Sequence, residues 1–344
     1  MGHPFFVAMG GYGSQTIEGY GNVPMVMSRR VFLQALAGTG AMPWRSPQPL
    51  TMQLDWHLNA QFAGLCVADA RGEYRRNGLA VNLKAASADM DVVQTVMSQP
   101  HTLGCAEESL ILAAQARGIS VVAIAAMLQA SPLSLMSLPA VALDNLQQLS
   151  GKRVGVHSDG RQALEFVLAK SNISLRPAMG EIPYQDKYQR LIDGEFDAVQ
   201  CYALDEPIEL ARRLGQAPNI LTFSNYGFDA YSQVIFAPAQ LLIEQPQAIH
   251  RFLVATFTGW RWAIAHPAQT ARLLIDQYVE PDYQDIDYQI QSLDIMANYI
   301  QHHGQPMGVI DPQRWRRSAQ QLAQAGLIDV LPPLATSIDL SFWA

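Results

Sequence analysis

Three clusters of side chains in this chain have the chemistry to hold a small ligand. The first is the run Asp55, Trp56, His57, Leu58 and Asn59, with Gln61 and Phe62 just beyond it. An indole offers a flat face to a ring and an N–H that still finds a partner. Asp55 accepts hydrogen bonds, and the amides of Asn59 and Gln61 both donate and accept. Trp56 reads equally as a core side chain, and Asn59 and Gln61 as caps of a following helix. The second cluster is Tyr202, Asp205 and Glu206, where a carboxylate could accept from an exocyclic amine. The third is the string HSDGR at 157–161. Exposed N–H groups at a helix start favour anions, and Gly160 permits close backbone approach. Arg161 could pair with a phosphate, sulfonate or carboxylate that Asp159 would oppose; Ser158 or Asp159 could instead be a plain N-cap. Tyr226 and Tyr231 could close over a ring or simply pack a hinge. Glu107 and Glu108 open a helix, where carboxylates favour the dipole, on a turn that also faces the presumed cleft.

The elements that must position these residues follow from periodicity. In 51–56, Met52, Leu54 and Trp56 alternate with polar neighbours, as in a strand. Phe62, Leu65, Cys66 and Ala68 then fall at helical spacing, Gly72 stops the helix, and Leu79, Val81 and Leu83 alternate again. Two strands joined through a helix make a parallel βαβ unit, whose ligands sit beyond the carboxyl ends of the strands. Here that edge is 55–59. Asp89 can cap a helix carrying Val92, Val93, Val96 and Met97, and strands are expected at 102–106 and 119–128. The chain then crosses to a second lobe near 135–139. There strands are expected at 153–156, 181–184 and 197–202, with helices from Arg161, at 187–193 and from Pro207. A strand at 232–237 returns to the first lobe. Helices follow, one with Ile249, Phe252, Leu253, Thr256, Phe257, Trp260 and Ile264 on one face. The candidate clusters thus gather at equivalent edges of two lobes, where ligand pockets form. The expected division is a leader at 1–49, lobe 1 from 50–137 plus 236–344, and lobe 2 from 138–235.

A chain of 344 residues with 49% apolar content supports two such lobes. A net charge of −7 with no basic patch argues against nucleic acid. No run of about 18 uncharged apolar residues suggests a membrane span. Cys66, Cys105 and Cys201 lie in apolar segments and read as free core thiols. His302 and His303 are adjacent, and helix neighbours do not face one target, so no metal site is expected. No Walker loop, HExxH, GxSxG or CxxC occurs. At the front, SRRVFLQ at 28–34 resembles the twin-arginine export motif, with Gln34 in place of lysine. An uncharged, mildly apolar run follows, as in a signal peptide, although an amphipathic surface helix has the same look. Residues 1–26 are glycine-rich and without periodicity.

The ordered motifs carry a family likeness. They are LDW at 54–56, AQFAG at 60–64, Gly72 with Tyr74, GLAV at 78–81, AAQARGISVV at 113–122 and LSGKRVG at 149–155. DEP at 205–207, GFDAY at 227–231, GWRWA at 259–263 and His266 with Pro267 complete the set. Together they resemble the NMT1/THI5-like family of substrate-binding proteins over nearly all of 50–328. The resemblance implies an α/β, two-lobed type II periplasmic binding protein fold with C-terminal helices. It further implies a monomeric, exported, periplasmic protein that closes on a small ligand and delivers it to an ABC transporter permease, with no cofactor and no catalytic residue. The ligand class it implies is a thiamine-pyrimidine precursor, with riboflavin-like or alkylsulfonate and taurine-like ligands as alternatives. The candidate contacts are Asp55, Trp56, Asn59, Phe62, Glu108, Ser158, Asp159, Arg161, Tyr202, Asp205, Glu206, Tyr226 and Tyr231.

The same family contains a pyrimidine synthase that uses a pyridoxal phosphate-bearing lysine, a histidine and a cysteine-rich iron motif. Its pattern aligns with 106–118, where the lysine position is Ala106 and the histidine position Leu110. Without a Schiff-base amine there the chemistry has no anchor, so the enzyme reading is disfavoured. Related domains also serve as ligand-sensing modules fused to signalling proteins; no signalling segment is recognised in this sequence.

Overall fold

The computed structural model describes residues 46–343 apart from 88–89, 172, 174–175, 184–185 and 302–303. The arginine pair at 29–30, Asp89, His302 and His303 therefore lie outside the described residues.

Strands β1 (Gln48–Gln53), β2 (Leu79–Lys84), β3 (Thr102–Ala106) and β4 (Val121–Leu128) come first. Strands β5 (Leu133–Ser137), β6 (Arg153–Val156), β7 (Ala178–Glu181), β8 (Ala198–Tyr202), β9 (Asn219–Thr222) and β10 (Ser232–Pro238) follow. They sort into two five-stranded sheets, ordered β2-β1-β3-β10-β4 and β7-β6-β8-β5-β9. Helices link the parallel neighbours; β4, paired antiparallel with β10, is also buried along its whole length and reads as a continuous apolar run. Each sheet takes in one strand antiparallel to its neighbours: β10 lies between β3 and β4, and β5 between β8 and β9. Each is the first strand after the chain changes sheets. The first crossover comes earlier than expected, at 129–132, because β5 already belongs to the second sheet; the return comes before Ser232, with the strand expected at 232–237 in the first sheet.

Other departures have local causes. The strand expected at 181–184 sits at Ala178–Glu181, in register with Arg153–Val156; Pro183 has no N–H to give a ladder. The helix expected from Arg161 begins at Ser158, because His157 has the extended backbone of an N-cap position. Asp91 caps the Val92–Ser98 helix, accepting from the Gln94 N–H at 3.0 Å. Strand β9 has four residues and no alternation, so it left no signal.

The predicted apolar face of the Pro246–Ala265 helix is buried from Ile249 through Trp260, and packs on the Ala63–Ala70 helix. Glycine permits this approach. A Cβ on Gly259 would stand 2.0 Å from the Gly64 carbonyl oxygen, and one on Gly64 would stand 2.2 Å from the Trp260 ring. Two of the recognised motifs, AQFAG and GWRWA, thus meet as a helix crossing. Behind the crossovers, Arg314 binds both. Its guanidinium donates to the Gln129 carbonyl at 2.6 Å and to Asp229 at 2.7 Å, and lies 4.0 Å from the Tyr231 ring centroid. Cys66, Cys105 and Cys201 are free and buried. No helix among the described residues is long and apolar enough to cross a membrane.

Candidate functional site

β1 ends at Gln53, and the loop after it carries Asp55 and Trp56 to the carboxyl edge of the first sheet. β8 ends at Tyr202, and the turn after it carries Asp205 into the Glu206–Leu214 helix, with Pro207 in its first turn. These two edges face each other. Asp55, Trp56 and Gln61 from one lobe and His157, Gln200, Tyr202 and Glu206 from the other line a cavity of about 30 Å³. That is room for about two water molecules, so the lobes are drawn together.

Most of the polar groups in this cleft are engaged with one another. Asn59 accepts from the Gln61 N–H at 2.8 Å, the cap that was one of its two expected roles, and donates to Asp205 at 3.2 Å. Asp205 also accepts from the Gln61 side chain and from the Tyr288 hydroxyl. Burial, then the charge of Glu206, pushes the Asp205 carboxyl up to about 7. Glu206 pairs with the buried ammonium of Lys187 and accepts from the Tyr202 N–H at 2.7 Å. Lys187 lies 3.4 Å from the His157 Nε2. Burial and that ammonium together push the imidazole down to about 2, so His157 is neutral. Tyr202 donates to Glu107, which also accepts from Ser131 and Ser232 and so ties β8 to both crossovers.

Rings form one wall. His57 packs edge-on to Trp56 at 5.4 Å, and Tyr283 lies 6.1 Å beyond His57. Across the cleft, the Trp56 and His157 centroids are 6.3 Å apart at 52°.

Of the sequence candidates, the structure brings Asp55, Trp56, Tyr202 and Glu206 to the cavity, with Asn59 and Asp205 directly behind it. The others stand elsewhere. Phe62 is wholly buried in the first lobe's core. Glu108 faces a separate cavity of about 10 Å³ with Phe166, Phe228 and Ser318; it accepts from the Tyr231 N–H at 2.6 Å, and burial pushes it up to about 8. Tyr231 is buried under Arg314, its hydroxyl accepting from the Asp311 N–H. Tyr226 is half-buried against the same core. Ser158 and Asp159 form the first turn of the Ser158–Ala169 helix. Arg161 lines an outer groove of about 430 Å³ with Glu165 and Glu181, away from the Trp56 cavity. The close approach foreseen at Gly160 exists, but a side chain of the protein takes it. A Cβ there would stand 2.1 Å from the Gln200 carboxamide, which also accepts from the His157 N–H at 2.8 Å.

Sequence reasoning missed Lys187 and Gln200, and read His157 only as part of an anion loop. Lys187 sits in the polar string QDKYQR, which has the look of a surface helix start. Its burial depends on Glu206, which only the fold brings near. The legible signal for Gln200 was a polar residue inside an apolar strand.

Comparison with known proteins agrees with this architecture. The chain is 23% identical over 291 residues to the riboflavin-binding protein RibY of Chloroflexus aurantiacus, covering 82% of each chain. It is 21% identical to a formylaminopyrimidine-binding protein of Halalkalibacterium halodurans, covering 83% of this chain and 88% of that one. It is also 23% identical to a 4-amino-5-hydroxymethyl-2-methylpyrimidine phosphate synthase of Legionella pneumophila, covering 69% and 77%. Among solved structures, the alkanesulfonate-binding protein SsuA from Xanthomonas axonopodis pv. citri, bound to MOPS, superposes with a TM-score of 0.66. It has 14% identity over 86% of this chain and 100% of that one, a likeness of fold. The fold is that of the periplasmic binding proteins, and residues 59–270, well over half the sequence, match the family model described as NMT1/THI5 like: the chain belongs to the NMT1/THI5-like family.

Proposed function

We propose that this protein is an exported, periplasmic solute-binding protein that captures a flat nitrogen heterocycle between its lobes and delivers it to an ABC importer. The ligand class we assign is that of thiamine-pyrimidine precursors. One observation carries the assignment: the charge and shape of the cleft lining. It presents an indole, two carboxylates, two carboxamides and a phenol, and its one basic side chain, His157, is neutral. The nearby ammonium of Lys187 is already paired with Glu206. Such a lining suits ring faces and N–H donors, and disfavours sulfonates, which need an uncompensated cation. Arg161, the sulfonate candidate, has Glu165 and Glu181 beside it in another groove. The relatives named for riboflavin and for formylaminopyrimidine both bind flat nitrogenous rings, which supports the same class. We further propose that the ligand leaves unchanged. The synthase's lysine position is Ala106, and the amine of Lys187 is engaged in an ion pair with Glu206.

Thermal-shift screening against aminopyrimidines, riboflavin, alkylsulfonates and pyridoxal phosphate tests this reading. A shift with aminopyrimidines, weakened about tenfold or more by Trp56→Ala, is expected. A shift with sulfonates alone, abolished by Arg161→Ala and indifferent to Trp56→Ala, sinks it. An imine absorbance with pyridoxal phosphate sinks the non-enzymatic part. Export is checked by fractionation: replacing Arg29 and Arg30 by lysine should strand the protein in the cytoplasm.

A further inference from the structure

Trp56 from the first lobe and His157 from the second are two of the three rings that line the cavity, the third being Tyr202. They stand 6.3 Å apart and 52° from parallel. A flat ring stacked between two others needs contact distances of about 3.5 Å on each side, so its jaws must stand about 7 Å apart. The observed spacing falls just short of that, and a small opening with rotation of one ring toward parallel would meet it.

The backbone N–H and both ring nitrogens of His157 are engaged within the protein. Gln200, on β8, accepts from the His157 backbone N–H at 2.8 Å and fills the space above Gly160. The Lys187 ammonium, on the Lys187–Ile192 helix, has only donors, so the Nε2 it meets at 3.4 Å is the acceptor. The ring proton therefore sits on Nδ1, in keeping with the bond from the ring to the Ile182 backbone. Glu206, on the Glu206–Leu214 helix, holds the ammonium in place, and Asp55 is the charged group facing across from the first lobe. What His157 turns toward the cavity it lines with Trp56 is a neutral aromatic ring.

We propose that His157 is the second jaw of an aromatic clamp, closing on the face of a heteroaromatic ligand opposite Trp56, and that Lys187 is the positioning residue that, through its contact with Nε2, holds this imidazole in one tautomer and one orientation. This rests on the cleft being the ligand site. It narrows the ligand to compounds with two open faces, and excludes saturated rings and branched alkyl chains of similar size.

The test has two arms. In the first, calorimetry at pH 8 measures binding of 4-amino-2-methylpyrimidine to the full chain. His157→Leu is expected to cost about tenfold, and His157→Phe no more than about threefold, because phenylalanine keeps the flat face. Equal losses for Leu and Phe, or no loss with Leu where Trp56→Ala still weakens binding, overturn the clamp and leave the ligand site standing. Full affinity in both Trp56→Ala and His157→Leu, or no binding of any flat heterocycle to the parent, overturns the ligand site and the clamp with it. The second arm needs no ligand. The ring ¹⁵N signals of His157 should show the single Nδ1–H tautomer at pH 8 in the parent and a mixture of tautomers once Lys187→Met is introduced. If that variant fails to fold, Lys187→Met with Glu206→Gln removes both buried charges together and takes its place. A mixture of tautomers in the parent, or the single Nδ1–H tautomer in the variants, overturns the role of Lys187.

Discussion

At the scale of single residues, the buried carboxyl groups divide between the cleft and the back of the crossovers. Glu108 belongs to the second set. Burial pushes its carboxyl from the ordinary range up to about 8, so the folded chain holds a proton that the unfolded chain releases. Its contribution to stability is complete below about pH 4.5 and is lost as pH rises toward 8. Glu108→Gln keeps an acceptor for the Tyr231 N–H and removes the titration. The variant should therefore be more stable than the parent at pH 8.5, with a flatter curve from pH 5 to 8.5, as measured by urea denaturation. A variant less stable than its parent at pH 8.5 would show that Arg314 keeps this carboxylate charged. The candidate site was legible in part, and the reason is geometric. Trp56, Tyr202 and Glu206 could be placed because a strand end or a helix start locates them. Lys187, Gln200 and the orientation of His157 could not, because each is defined by partners from separate elements. Glu108 misled for the same reason. Its neighbour Glu107 reaches the Tyr202 hydroxyl beside the cleft, but Glu108 turns to the opposite face of that helix start.

At the scale of elements, the sequence revealed strands and helices wherever periodicity was long. The face of the Pro246–Ala265 helix is an example, and so is the all-apolar β4. It failed for β9, which is too short to alternate, and it misplaced β7, whose limits are fixed by register with β6 rather than by its own residues. Glycine motifs that carry the family likeness turn out to serve packing. At Gly259 an added methyl meets backbone, the carbonyl oxygen of Gly64, along with the Ala68 Cβ at 2.9 Å. Neither can swing aside as a side-chain tip would. Gly259→Ala should force the two helices apart and lower stability by about 1–3 kcal/mol, despite alanine's better helix propensity. Chemical denaturation gives the answer directly, and a variant as stable as the parent would mean that the crossing is loose. Because the Ala63–Ala70 helix follows the Trp56 loop, the same variant should also weaken ligand binding.

At the scale of the whole molecule, two sheets are joined by two crossovers that Arg314 grips together, an arrangement suited to hinge closure around a ligand. The placement of β10 has a kinetic meaning. All five strands of the second sheet come from one continuous stretch, 133–222, and can pair as soon as that stretch exists. The first sheet cannot. In its sheet β4 has β10 as its neighbour, and β10 arrives more than a hundred residues after β4. Closing so long a loop is slow, and contacts between distant segments form late. The half of the protein that is synthesised first should therefore be the half that finishes last. In pulse-labelled hydrogen exchange during refolding, amides of β6 and β8 should gain protection before those of β3 and β4. Simultaneous protection of both sheets would mean a single cooperative step instead. Until β10 docks, the edges of β3 and β4 are unpaired and apolar, and the refolding chain is most open to aggregation in that interval.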